Sequence, residues 1–218
     1  MDTPPAGTGY LALPTSERGP GVLVLHAWWG LTAEVRRVCD RLADEGYVAL
    51  APDLFGGVVA TEIGEAEAQL ETANADEIAH LTRSGLHTLR SLPGTLEGPV
   101  GVLGWSMGGS MALWLAARVP DAVAATVTYY GDQDIDMAAA QSAFLGHYAE
   151  VDAYVDDDTL VLLESELHLN GQQVEFHRYE GTTHWFAEED RPEHHPDAAA
   201  LAWQRTLAFL AQHLRAGH

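Results

Sequence analysis

The feature that most restricts the fold of this chain is a series of short apolar runs that do not alternate with polar residues. They are GVLVLHAWWG (21–30), YVALAPDLFGG (47–57), PVGVLGWS (99–106), AVAATVTYYGD (122–132) and SAFLGHYAEVD (142–152). A strand with one wet face alternates, whereas a run that is apolar throughout is covered on both faces. Helical patterns lie between and after these runs. TAEVRRVCDRLADEGY spaces Val35, Val38, Cys39 and Leu42 along one helical stripe. Residues 62–91 are acidic and amphipathic and predict one or two helices, and VDDDTLVLLESELHL predicts another. QQVEFHRYEG alternates and predicts a strand. PDAAALAWQRTLAFLAQHLRAG predicts a closing helix, with Trp203, Leu207, Leu210 and Leu214 on one face and Asp197 near its start. The sum is an α/β fold: a mostly parallel central sheet with helices on both faces. Ligands of such sheets bind beyond the carboxyl ends of the strands.

The bulk properties narrow the setting. With 11 basic against 32 acidic residues in 218, the net charge is −21. Such a surface repels nucleic acid and anionic membranes, so neither is an expected partner. No apolar run approaches the roughly 18 residues of a membrane span. The opening MDTPPAGTGYLALP has neither a basic nor an apolar leader region, so no signal peptide is expected. A single cysteine, Cys39, allows no internal disulfide and fits a cytoplasmic protein. No repeat, linker or shift in composition divides the chain, which reads as one domain over residues 1–218.

The chemistry gathers at the predicted strand ends. Gly104-Trp105-Ser106-Met107-Gly108 matches G-x-S-x-G, and it joins an apolar run to an alanine-rich helical stretch. That setting gives the pattern its meaning. A sharp strand-to-helix turn leaves room only for glycine two residues to either side. The hydroxyl of Ser106 then projects beside free N–H groups at a helix start. A plain glycine turn with a capping serine would look similar over five residues, but the flanking run and helix favour the nucleophile.

A serine needs a base, and the base needs an orienting acid. With this elbow they follow in the chain order Ser, Asp or Glu, His. His184, in YEGTTHWF after the last predicted strand, is the expected base. His177 lies inside that strand, and His147 and His168 fall too early or mid-helix. His194 and His195 sit in a polar, proline-flanked loop without paired ligand spacing, so no metal is expected. Asp152, closing the run AFLGHYAEVD, is the expected acid. Asp132 and Asp134, after the preceding run, are alternatives, whereas Asp156 to Asp158 suit a helix start. Two backbone donors must face the developing oxyanion. Met107 supplies one, and Trp28, in the early turn HAWWG, supplies the other. Ala27, Trp29, Trp105, Trp185 and Glu188 are the expected pocket residues.

HAWWGL, GYVALAPDLFGG, GVLGWSMGG, YYG, the aspartate of EVDAYV and YEGTTHWF occur in an order and spacing that resemble the dienelactone hydrolase family of the α/β-hydrolases. The resemblance covers nearly the whole chain. It implies a lidless α/β-hydrolase fold with no cofactor, and it implies Ser106 as nucleophile, Asp152 as acid and His184 as base. Trp28 and Met107 would be the oxyanion donors. Three positions depart from the namesake enzymes, which carry a cysteine at Ser106, a glutamate at Ala27 and a substrate-binding arginine at Glu188. Without that arginine, a neutral ester or lactone is the expected small-molecule substrate. The same triad would serve a thioesterase, peptidase or perhydrolase, and a hydrolase scaffold can also serve as a binding protein. A monomer or a homodimer is expected.

Overall fold

A computed structural model describes residues 9–215. The opening segment read for a signal peptide, up to residue 8, lies outside the described residues. So do residues 216 and 217 of the predicted closing helix. One seven-stranded sheet runs through the molecule in the order β1-β3-β2-β4-β5-β6-β7. Its strands are β1 (Tyr10–Ala12), β2 (Gly21–Leu25), β3 (Val48–Ala51), β4 (Val100–Trp105), β5 (Val123–Tyr129), β6 (Ala143–Val151) and β7 (Val174–Thr183). Every neighbouring pair is parallel except β1 with β3.

The helices are α1 (Ala33–Asp44), α2 (Ile63–Thr72), α3 (Ala75–Ser91), α4 (Met107–Arg118), α5 (Asp157–Leu169) and α6 (Pro196–Arg215). The side-chain period of two sends successive strand residues to opposite faces. Val22 and Val24 of β2 join a core with Val35, Val38, Cys39 and Leu42 of α1 and Leu210 and Leu214 of α6. Leu23 and Leu25 join a second core with Leu86 and Leu89 of α3, Leu113 of α4 and Leu163 of α5. Thus every residue of β2 is buried, which is why its run lacks alternation.

Local signals fix the helix starts. The Thr32 hydroxyl accepts from the Val35 N–H, and Asn74 accepts from the N–H groups of Asp76 and Glu77. The acidic stretch resolves into two helices because Ala73 leaves helical geometry and Asn74 restarts it. The first of them, α2, opens with a capping box between Glu62 and Glu65.

Two features depart from the pattern of the runs. β1 is only a three-residue YLA segment, too short for a periodic signal, and it takes its place by pairing with β3. Between β5 and β6 no helix forms. The loop there tucks Met137 and Ala140 into the second core, and the Met137 N–H donates to Glu166 of α5. No helix among the described residues is long and apolar enough to cross a membrane.

Leu210 is fully buried where α6 crosses the sheet. Leu210→Ala is expected to lower unfolding free energy by about 2–5 kcal/mol, read from urea denaturation.

Candidate active site

β4 ends at Trp105, and the chain enters α4 without a linking residue beyond Ser106. Ser106 therefore has φ +49° and ψ −118°, in a region that L side chains avoid. Its N–H donates to the Tyr129 carbonyl of β5 at 2.8 Å, which pins the turn to the neighbouring strand. A Cβ on Gly104 would strike the Gly108 carbonyl group, and one on Gly108 would strike the Leu25 carbonyl of β2. Both glycines are required by close backbone approach, and they seat the α4 start against the end of β2.

His184 follows β7 directly, and Asp152 follows β6 directly. His184 Nε2 lies 3.0 Å from Ser106 Oγ, and its Nδ1 lies 2.7 Å and 2.8 Å from the two Asp152 oxygens. An ionised carboxylate only accepts, so Nδ1 carries the proton and Nε2 accepts from the serine hydroxyl. Asp152 is held in turn by the N–H groups of Tyr154 and Val155, which donate to Oδ1. The side chains of His184 and Asp152 are only 4% and 7% exposed, so their contact is shielded from water. Asp132, the alternative acid, is half-buried, and burial raises its pKa; the imidazole bonds to Asp152 instead.

The other histidines fall into quieter places. His147 is fully buried in β6 and shares hydrogen bonds with Tyr179 and Thr206. His177 is half-buried on β7, 3.9 Å from Glu175. His195 Nδ1 accepts from the Ala198 N–H at the start of α6. No three metal-ligating side chains cluster among the described residues.

The expected oxyanion donors lie at the two turns beside Ser106. Met107 is the first residue of α4, so its N–H has no partner within the helix. In the β2–α1 turn, Gly30 N–H closes on the Ala27 carbonyl, and Gln69 of α2 donates to the Trp28 carbonyl at 2.9 Å. The turn is held at both ends while its Trp28 N–H takes part in neither bond. His26 braces it from beneath: Nδ1 donates to the Ala27 carbonyl and Nε2 accepts from Leu54 N–H.

The expected pocket residues divide. Trp185 packs beside His184, and Trp28 and Tyr154 complete an aromatic wall there. Trp29 is buried behind that wall, against Trp185 and under the Arg191 guanidinium. Ala27 is buried in the core and contributes its carbonyl rather than a surface. Trp105 turns away from Ser106, stacks on Tyr129 and lines a separate cavity of about 210 Å³ between α1 and α6. Odd-numbered residues of β4 face that side of the sheet, as Leu103 does. Glu188 is buried too: its carboxyl group accepts from the Tyr130 hydroxyl at 3.0 Å, so it is not an exposed pocket charge.

Several site residues had no motif to mark them. Tyr130 packs its ring 4.6 Å from that of His184, and Tyr154 packs 4.8 Å from it. Tyr130 also has a positive φ, +41°. Gln69 and Glu34 act from helices far away in sequence. The Glu34 carboxylate accepts from the N–H groups of Glu189 and Asp190, and so clamps the segment that follows His184.

The profile of the dienelactone hydrolase family matches residues 8–214. The chain belongs to the dienelactone hydrolase family. Among its relatives, the protein usf of Aquifex pyrophilus is 32% identical, over 94% of this chain and 93% of its own. The carboxymethylenebutenolidase of Rhodococcus opacus is 29% identical, over 93% of this chain and 86% of its own. A solved structure from Klebsiella pneumoniae, provisionally described as a dienelactone hydrolase, superposes with a TM-score of 0.82 at 25% identity. It covers 93% of this chain and 91% of its own. The seven-stranded sheet is thus an α/β-hydrolase fold, and the protein is a hydrolase of that superfamily.

Gly108→Ala would force the new methyl into the backbone of β2. Its expected cost is about 1–3 kcal/mol in urea denaturation, with the Ser106 turn displaced.

Proposed function

We propose that the protein hydrolyses carboxylic ester or lactone bonds with Ser106 as nucleophile, His184 as general base and Asp152 as orienting acid. The observation that carries this reading is the unbroken hydrogen-bonded line from Asp152 through His184 to Ser106 Oγ. His184 Nε2 takes the hydroxyl proton as Oγ attacks the carbonyl carbon. The charge that develops on the carbonyl oxygen meets the N–H groups of Met107 and Trp28. As the tetrahedral intermediate collapses, His184 returns the proton to the leaving alkoxide, which remains tethered in the case of a lactone. Water then attacks the acyl-serine, again with His184 as base. Asp152 keeps the imidazole in the tautomer that both steps require and stabilises it while it carries the extra proton.

The carboxymethylenebutenolidase relative supports a lactone or ester bond as the target. The surroundings favour a neutral substrate. Burial raises the Tyr154 phenol pKa, and Glu67, Glu193 and Asp152 raise it further, so carboxylates stand near this part of the aromatic wall. Arg191, which lies over Trp29 behind that wall, is paired with Asp190. The apolar wall of Trp28, Tyr154 and Trp185 suits an acyl or alcohol group without charge. A chain with one cysteine forms no internal disulfide, which fits a cytoplasmic setting.

Ser106→Ala is expected to lower kcat on p-nitrophenyl acetate by about 10³-fold or more, with KM little changed. It should also abolish labelling by a fluorophosphonate probe. Undiminished turnover or labelling would reject the assignment. Separately, an ester bearing a carboxylate should show a lower kcat/KM than its neutral isostere. The gap should narrow as salt rises from about 0.01 to about 1 M, because screening weakens the repulsion.

A further inference from the structure

Behind the imidazole lies a carboxyl group that the hydrolytic steps do not use. Glu188 is 8% exposed and sits four residues after His184 on the same segment. Its bonded partner is a phenol, not a cation: the fully buried Tyr130 hydroxyl donates to Oε1 at 3.0 Å. The Tyr130 ring carries that contact onward, with its centroid 4.6 Å from that of His184. Tyr130 is itself fixed at the end of β5, where its N–H donates to the His147 carbonyl at 2.7 Å.

Burial, first, and then the Glu34 and Asp190 carboxylates oppose a charge on Glu188, and they outweigh the Tyr130 hydrogen bond and Arg191, which favour one. From α1 comes the Glu34 carboxylate, whose own cation, Arg37, is 4.0 Å away and half-exposed. From β5 comes the Tyr130 phenol. From its own segment come Asp190 and Arg191, and Arg191 bonds Asp190 at 3.2 Å. Arg41 reaches Glu189 instead. No ion pair reaches Glu188 among the described residues.

We propose that Glu188 is a positioning residue for His184, working through Tyr130 and only while its carboxyl group is uncharged. This rests on the reading of His184 as the catalytic base. In the neutral state Glu188 accepts from Tyr130 and needs no counter-ion, so the phenol ring stays pressed to the imidazole. Once ionised, it is a buried carboxylate opposite Glu34. The segment from Trp185 to Arg191 must then open to solvate it, and His184 is attached to that segment. Burial pushes the Glu188 pKa up to about 8, and burial likewise raises Glu34 to about 7. The sign follows from the raised value. Stability from neutral Glu188 is complete below its ordinary pKa of 4.5 and is lost as pH rises through about 8.

The test compares the wild type with Glu188→Gln, which keeps an acceptor for Tyr130 but cannot ionise, and with Glu188→Ala and Tyr130→Phe. Glu188→Gln is expected to keep kcat within about threefold of wild type near pH 6 and to lose the alkaline fall in kcat centred near 8. Glu188→Ala and Tyr130→Phe should each lower kcat by about 10- to 100-fold with KM little moved. Thermal unfolding gives a readout independent of turnover. Between about pH 5 and about pH 9 the midpoint of Glu188→Gln should fall less than that of wild type. The proposal is overturned if Glu188→Gln shows the wild-type alkaline limb and the wild-type fall in midpoint, or if it loses as much kcat as Glu188→Ala. Should Ser106→Ala retain full turnover, the hydrolytic reading fails instead. The unfolding comparison would then still decide whether Glu188 works uncharged. Should Glu188→Ala fail to fold, Glu188→Gln and Tyr130→Phe carry the test.

Discussion

The placement of Ser106 depends on a backbone contact that only glycine permits. Gly108 rests on the Leu25 and His26 carbonyls at the end of β2, while Gly104 faces the Gly108 carbonyl across the turn. Those approaches hold Ser106 at positive φ, with its Oγ 3.0 Å from His184 Nε2. A strained residue persists only where its neighbours over-determine it. Here the determining elements are β2, β5 through the Tyr129 carbonyl, and the first turn of α4. The strain is therefore carried by the centre of the sheet rather than by a loop.

Around that centre, the two partners of Ser106 arrive by strand ends alone. β6 delivers Asp152 and β7 delivers His184, each with no intervening loop. Parallel pairing sets Val151 opposite Thr183, so the 2.7 Å contact of Asp152 with His184 follows from register, and the imidazole then spans from β7 towards Ser106 at the end of β4. The next layer is supplied by α1 and α2. Glu34 clamps the segment after His184, and Gln69 holds the Trp28 carbonyl. Both are ordinary polar residues on amphipathic helices.

Legibility in the sequence tracks how local each cause is. Continuous apolar runs announced five of the parallel strands, since burial on both faces leaves no other composition. The stripe of Val35, Val38, Cys39 and Leu42 announced α1 for the same reason. Ser106, His184 and Asp152 are marked along the chain by their elbow, order and strand-end placement, and the structure brings them into hydrogen-bond contact. β1 was not legible, because three residues have no period and its pairing with β3 is a tertiary choice. The direction of Trp105 was not legible, because the neighbour of Ser106 looks like a pocket residue until the strand parity is known. Glu188 looked like an exposed charge, and only the fold brings Tyr130, 58 positions earlier, to cover it.

The sheet also ends differently on its two sides. One margin is the short β1, with three residues of pairing. The other is the ten-residue β7, long enough to invite a foreign strand. Exposed Glu175, Arg178 and Glu180 stand along it, and Arg178 is already engaged by Asp157 of α5. A strand adding there would have to strip water from charges of both signs and displace that ion pair. The open margin thus carries charges of both signs and an ion pair that an added strand would have to disrupt.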